Sequence, residues 1–254
     1  MNNKWNPEQY NKFKGQRAKP FYDLKSLIER KPINQALDLG CGTGELTRIL
    51  FDDLRPEKMQ GLDSSAEMLF ESEKFKAPGL SFLSADITKY EPTEKLDLIF
   101  SSAALQWVPD HERLLPKFLS WVSKGGQVAI QMPVNFDHPS HVIAAQVAQK
   151  LFPSIFDQPA QRWTLPLERY AEILFENGFE SQVARVEIYG HPMKSGYEVI
   201  EWTKGTLLTS YQSKLNEAQF TDFLSSYKEA LIAEIGEGPY FYAFKRALLW
   251  GKKN

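Results

Sequence analysis

One cysteine, four histidines and no long apolar run are what this 254-residue chain offers by way of scarcity. A lone thiol, Cys41, cannot close an intramolecular disulfide, and no second cysteine exists to share a metal ion, so a reducing compartment suits the chain. Spanning a bilayer takes about 20 consecutive apolar residues, and none are present. The opening Met1-Asn2-Asn3-Lys4-Trp5 also lacks the apolar core of a secretory leader. A cytoplasmic protein without membrane partners is expected. Charge of one sign is missing as well: 30 basic residues stand against 32 acidic ones, a net charge of -2. A phosphate lattice demands clustered cations, so no nucleic-acid partner is expected. The locally basic start, from Lys4 to Lys31, reads as a solvated helix face.

What is present begins with Ala36-Leu37-Asp38-Leu39-Gly40-Cys41-Gly42-Thr43-Gly44, an apolar strand running into three glycines at alternate positions and then into a helix. Without a Cβ, such a turn can take positive φ and bring backbone N–H groups close to a nucleotide-like ligand. A dinucleotide turn needs a small residue three positions after its second glycine, where this chain has Glu45. A phosphate-gripping loop needs Gly-Lys-Ser/Thr, which does not follow.

Strands and helices then alternate. Glu45 to Leu54 has helical apolar spacing and stops before Pro56; Met59 to Asp63 reads as a strand, and Ser64 or Ser65 caps the next helix. Leu80 to Asp86, Leu96 to Ser102 and Gln127 to Met132 are further strands. The alternation predicts a parallel doubly wound α/β sheet, with ligands beyond the carboxyl ends of its strands. Asp38, Asp63, Asp86 and Ser101 all fall at or beside those ends. Residues 134–166 show no clean strand and 193–238 look helical and amphipathic; both are read as cap insertions. A helix over Leu167 to Asn177, a strand from 179 to 192 and a last strand from 239 to 252 complete one domain, 1–254, with 31–133 as the cofactor-binding core and 1–30 as a helical lid.

The acid ahead of the glycine turn and its spacing resemble motif I of class I S-adenosylmethionine-dependent methyltransferases. Further segments, Trp5-Asn6-Pro7 with Tyr10, Leu96 to His111 including Ala104-Leu105-Gln106-Trp107, Gln131-Met132-Pro133 and Glu201-Trp202-Thr203, resemble the trans-aconitate 2-methyltransferase family. That resemblance implies a Rossmann-like methyltransferase sheet, mostly parallel with an antiparallel last strand and helical cap insertions. S-adenosyl-L-methionine is the implied cofactor. It implies cofactor contacts from Arg17, Asp38, Gly40, Cys41, Gly42, Gly44, Asp63, Ser64, Met68, Ala85, Asp86, Ile87, Ser101 and Ser102. In that pattern Asp38 lies near the cofactor's ammonium group, Asp63 binds the ribose hydroxyls, Asp86 accepts from the adenine amino group, and Met68 or Ile87 packs on adenine. Where the family pattern has an arginine, this chain has Leu207-Leu208-Thr209.

The activity so implied is O-methylation of a carboxylate on a small organic acid resembling trans-aconitate. Alternatives are another small acceptor (amine, hydroxyl, carbon or carrier-bound acyl group) or cofactor binding without turnover. Substrate contacts are assigned to Tyr10, Gln106, Trp107, Gln131, His141 and Trp202, with no residue fixed as catalytic, since an ionised carboxylate needs little acid or base. An amine or alcohol would need a base, and His111, His138, His141 and His191 are the options. His138 and His141 lack a third partner at metal-site spacing, so no metal is expected. The expected partner is a small molecule, and the expected state is a monomer or homodimer.

Overall fold

The computed structural model describes residues 14–157 and 163–254, with side chains from Ala18 onward. The order of its elements is α1 (Lys14–Lys25), β1 (Gln35–Leu39), α2 (Glu45–Leu54), β2 (Lys58–Asp63), α3 (Ala66–Ser72), β3 (Leu80–Ser84), β4 (Leu96–Ser102), α4 (His111–Trp121), β5 (Val122–Pro133), α5 (Pro139–Leu151), α6 (Leu167–Glu176), β6 (Ser181–Met193), α7 (Gly196–Lys204), α8 (Thr209–Gln212), α9 (Glu217–Ile235) and β7 (Tyr240–Lys252). The seven strands form one sheet in the order β3-β2-β1-β4-β5-β7-β6. Strands β1 to β5 pair in parallel, and β7 runs antiparallel to β5. This is the doubly wound sheet that the alternation implied.

The described residues divide into two compact units: Lys19–Val134, Trp163–Glu187 and Arg246–Asn254 form one, and 14–18, 135–157 and Ile188–Lys245 the other. In the first, both faces of the sheet are covered, which is why β1 and β4 are buried along most of their length. Leu37, Leu39, Ile99, Val128 and Ile130 pack one way, with Leu115 and Phe118 of α4 and Ile173 of α6. Ala36, Leu98, Phe100 and Ala129 face the other way, with Phe21 and Leu24 of α1 and Leu50 of α2. Of the lid read over 1–30, residues 1–13 lie outside the described residues, while Phe21, Leu24 and Ile28 are buried in that second layer, and Phe21 meets Phe100 edge-on at 5.5 Å. Their helical spacing makes residues 19–30 part of the core.

The second unit has a core of its own. Ala144 and Ala148 of α5, Ile200 and Trp202 of α7, Phe223, Tyr227 and Leu231 of α9, and Tyr242 and Phe244 of β7 form one cluster. Stacked rings run along it, Tyr211 on Phe223 at 4.9 Å and Phe223 on Tyr227 at 5.9 Å. The sequence reading put no helix at 139–151, yet α5 has the proper start: His138 caps it by accepting from Ser140 N–H, and Pro139 opens its first turn. The stretch 193–238, read as helical and amphipathic, holds three helices. Asn216 and Gln219 form a reciprocal capping box that starts α9 afresh. Among the described residues no helix is long and apolar enough to cross a membrane.

Candidate functional site

The glycine turn leaves β1 at Leu39 and is tied to β2, since the N–H groups of Gly40 and Cys41 both donate to the Leu62 carbonyl at 2.8 and 2.9 Å. Gly40 and Gly42 have φ of 80° and 55°. A Cβ on Gly40 would lie 2.1 Å from Ala104 Cβ, whereas one on Gly42 would meet nothing within 4 Å. The first glycine is demanded by packing, the second by its dihedral and by whatever approaches the turn. Gly40→Ala should therefore destabilise the fold by about 2 to 4 kcal/mol. Gly42→Ala should cost only about 1 kcal/mol, and thermal melts of the two variants check the contrast. Burial, helped by the carboxylates of Asp38 and Asp63, drives the Cys41 thiol far above its usual range, so it is no nucleophile.

Three acids flank this turn. Asp38, on β1, is buried, and its Oδ2 accepts from Thr47 Oγ1 of α2 at 2.6 Å. Its Oδ1 is buried with no hydrogen-bond partner among the described residues. Burial pushes its pKa up to about 7, against the Thr47 hydrogen bond and with help from the Asp63 charge. A buried acceptor left open in this way calls for a donor, and a cation suits it best. Asp63, at the end of β2, accepts from Gly42 N–H through Oδ2 and from Ser65 N–H through Oδ1, both at 2.9 Å. One lone pair on each oxygen remains, in an orientation fixed by the backbone. Ser65 rather than Ser64 caps α3, accepting from Met68 N–H; Ser64 is exposed. Asp86, past β3, curls onto Thr88, whose N–H and hydroxyl both donate to Oδ1, at 2.9 and 2.7 Å. Those bonds hold its carboxyl below the usual range. Ala85 N–H donates to the Asp63 carbonyl at 2.9 Å, tying the third strand end to the second. Met68 is half-buried, while Ile87 belongs to the core around Leu105 and Tyr170.

The end of β4 is the third wall. Ser101 is fully buried and donates to the Leu39 carbonyl at 2.8 Å, so its hydroxyl joins two strands. Ser102 accepts from Gln131 Nε2 at 2.8 Å. Ala103 follows at φ 56°, a conformation an alanine adopts only under constraint, with its N–H on the Gln131 carbonyl. Gln106 Nε2 donates to the Ala103 carbonyl at 2.6 Å, leaving its Oε1 buried and open among the described residues. Trp107 is 59 % exposed. Gln131 is buried with both amide ends engaged, its Oε1 accepting from Arg246. Thr47 and Arg246 were missed by the sequence reading. The signal for Arg246 was a guanidinium at the head of the apolar run Ala247 to Trp250.

A buried pair supports this wall from beneath. His111 starts α4, and its Nε2–H donates to the Leu105 carbonyl at 2.9 Å while Nδ1 accepts from Tyr170 O–H at 2.5 Å. Tyr170 in turn accepts from Leu165 N–H at 3.0 Å. Burial holds the His111 imidazole below its usual pKa, and the Leu105 carbonyl on Nε2 sets this tautomer. Tyr170→Phe would strand two buried partners and should cost about 2 to 4 kcal/mol, measurable by urea unfolding. In the second unit, His138 is pushed down to about 4 by burial and is held between Ser140 Oγ and Tyr240 OH, each at 2.9 Å. His141 is half-buried against Ser140. Trp202 is 2 % exposed, packed on His191 at 4.5 Å between ring centres. Tyr10 and the Arg17 side chain lie outside the described residues.

The methyltransferase domain family matches residues 37–130, the span from the glycine turn to β5. The chain is similar along its whole length to trans-aconitate 2-methyltransferases: 38 % identical to that of Deinococcus radiodurans over 96 % of each chain, and 33 % to that of Rhizobium etli over 98 % and 99 %. That of Enterobacter sp. is 35 % identical over 98 % of each. Among solved structures, the YcgJ protein of Bacillus subtilis superposes at a TM-score of 0.60 with 14 % identity, over 92 % of this chain and 97 % of that one. Phosphoethanolamine N-methyltransferase 2 of Haemonchus contortus, solved with S-adenosyl-L-methionine, superposes at 0.55 with 20 % identity, over 91 % of this chain and 51 % of that one. These two likenesses are of fold.

Proposed function

The chain belongs to the trans-aconitate 2-methyltransferase family of class I S-adenosylmethionine-dependent methyltransferases, and from that premise we propose that it methylates a carboxylate of a small organic acid resembling trans-aconitate. The observation that carries the cofactor half is the buried, open Oδ1 of Asp38 beside a glycine turn with room at Gly42. These residues fit S-adenosylmethionine: Asp38 would take its ammonium group, Asp63 its ribose hydroxyls and Asp86 its adenine amino group, with Met68 against the ring. The chemistry supplied by the bound cofactor is a sulfonium methyl that passes to a carboxylate oxygen as the carbon–sulfur electron pair returns to sulfur, with no proton to move.

The chain's part is alignment and exclusion of water. Reacting atoms must be held at roughly 3 to 3.5 Å. The rigid end of β4, with Ala103 locked at positive φ and Gln106 bonded back to it, provides a fixed edge for that purpose. Opposite charges on carboxylate and sulfonium cancel as the bond forms, so a dry site favours the step provided it binds the anion in line. His138, neutral with both nitrogens engaged, is poorly placed to act as a base, which favours an acceptor that needs none. Incubation with methyl-labelled S-adenosylmethionine and a panel of di- and tricarboxylates, amines and phenols tests the reading. A base-labile methyl ester is expected; methylation of an amine or phenol with no ester formed would overturn it.

A further inference from the structure

The segment that leaves β4 rests directly on the glycine turn, because a Cβ placed on Gly40 would lie 2.1 Å from Ala104 Cβ. At this contact the backbone donors of the turn are already committed. Gly40 and Cys41 N–H donate to the Leu62 carbonyl, Gly42 N–H to Asp63 and Gly44 N–H to the Cys41 carbonyl. The groups left open are acceptors. Among the described residues, three buried carboxylate or amide oxygens have no hydrogen-bond partner: Asp38 Oδ1, Gln106 Oε1 and Gln182 Oε1. Gln182 belongs to β6 at the far edge of the sheet, where its Nε2 donates to the Ala171 carbonyl of α6. Asp38 and Gln106 instead belong to β1 and to the exit of β4, which are neighbours in the sheet.

The sense of the Gln106 amide is set by its surroundings. Nε2 donates to the Ala103 carbonyl at 2.6 Å, and turning the amide over would set two acceptors against each other. Oε1 is therefore the end left open, and a buried acceptor of this kind calls for a donor. An ionised carboxylate has no proton to donate. The assignment of Gln106 to the acid substrate, made from its position past a strand end, thus does not match the atom it presents.

The partners proposed for adenine, ribose and ammonium stand at or beside the ends of β3, β2 and β1, and β4 is the next strand in the sheet. A ligand laid out in that order brings its amino-acid end to β1 and β4. An ammonium group carries three N–H donors, of which Asp38 Oδ1 takes one. We propose that Gln106 Oε1 takes a second, so that Gln106 recognises the amino-acid end of the cofactor and not the methyl acceptor. The same amide is anchored to Ala103, itself held at φ 56°, so it ties that end of the cofactor to the β4 edge. This assignment rests on the placing of the ammonium group at Asp38 and holds for any methyl acceptor.

The test uses the full chain, the variants Gln106→Leu and Gln106→Glu, and two ligands: S-adenosylhomocysteine and its analogue with hydrogen in place of the amino group. Calorimetry gives the preference for the first ligand over the second. In Gln106→Leu that preference should fall by about 10- to 100-fold, as loss of a hydrogen bond to a charged group implies. Affinity for the desamino analogue should stay within about threefold. Loss of the bond to Ala103 alone would weaken both ligands alike and leave the preference intact, which would overturn the assignment. Gln106→Glu keeps an acceptor and adds charge to it, so its preference should equal or exceed that of the unaltered protein; a fall would overturn the proposal even where the leucine variant does not fold. A raised KM for trans-aconitate with unaltered S-adenosylhomocysteine binding would return Gln106 to the acceptor. If the unaltered protein binds both ligands equally, the placing of the ammonium group at Asp38 fails as well. If it discriminates and Gln106→Leu discriminates as strongly, Gln106 alone is wrongly assigned.

Discussion

Asp63→Ala should weaken S-adenosylmethionine binding by 10- to 100-fold, about 1.5 to 3 kcal/mol, with the fold intact. The carboxylate is a charged acceptor whose two oxygens are each oriented by one backbone N–H, from Gly42 and Ser65. Its remaining lone pairs are those a ribose diol would meet, and hydrogen bonds to a charged group lie at the strong end of the range. Removing it also frees the Gly42 N–H, so the turn loses its tie to β2 at that point. Calorimetric titration at pH 8 measures the change, and unaltered affinity in a folded variant would refute the role given to this acid.

Asp38→Asn should have a larger effect on binding and the opposite effect on stability. The amide cannot pair with an ammonium ion as a buried carboxylate does, so affinity should drop by about 100-fold or more. Stability follows from the proton count. The folded-state pKa of about 7 lies above the ordinary value of 3.8, so between those limits the folded chain keeps a proton that the unfolded chain has lost. Apo stability due to this group therefore falls as pH rises from about 4 to 7 and stays low above that. At pH 8 the ionised carboxylate costs the apo fold on the order of 2 to 4 kcal/mol. The asparagine, still able to accept from Thr47, removes that cost. Melts at pH 8 should show the apo variant at least as stable as the parent, and binding to the parent near pH 6.5 should release a proton, visible as a buffer-dependent heat. A variant that melts much lower at pH 8, or binding with no proton released, would contradict the environment assigned to Asp38.

Both predictions concern residues legible in the sequence, and the reason is local. The acid–glycine turn and the acids at strand ends sit within a few residues of the elements that position them, so spacing alone places them. The existence of strands β1 to β5 was legible for the same reason, since each holds a short apolar run closed by a turn. What escaped depended on contacts distant in sequence. Arg246 meets Gln131 only because β7 returns antiparallel beside β5, bringing together residues 115 positions apart. Thr47 faces Asp38 only once α2 has packed on the sheet. Helix α5 was hidden by composition, since His138, Pro139 and Ser140 read as irregular chain although they form a cap, a first-turn proline and a hydrogen-bonded serine. Ser101 has a role that spacing did not show: its hydroxyl donates to the Leu39 carbonyl and joins two strands.

The central claim is that the open oxygen of Asp38 and the oriented carboxylate of Asp63 face one adenosyl ligand. A crystal structure of the full chain with S-adenosylhomocysteine tests it most directly. The account requires the ligand's ammonium group within hydrogen-bonding distance of Asp38 Oδ1 and its ribose hydroxyls on Asp63. A ligand bound elsewhere, or one whose amino group leaves Asp38 Oδ1 without a partner, would contradict it.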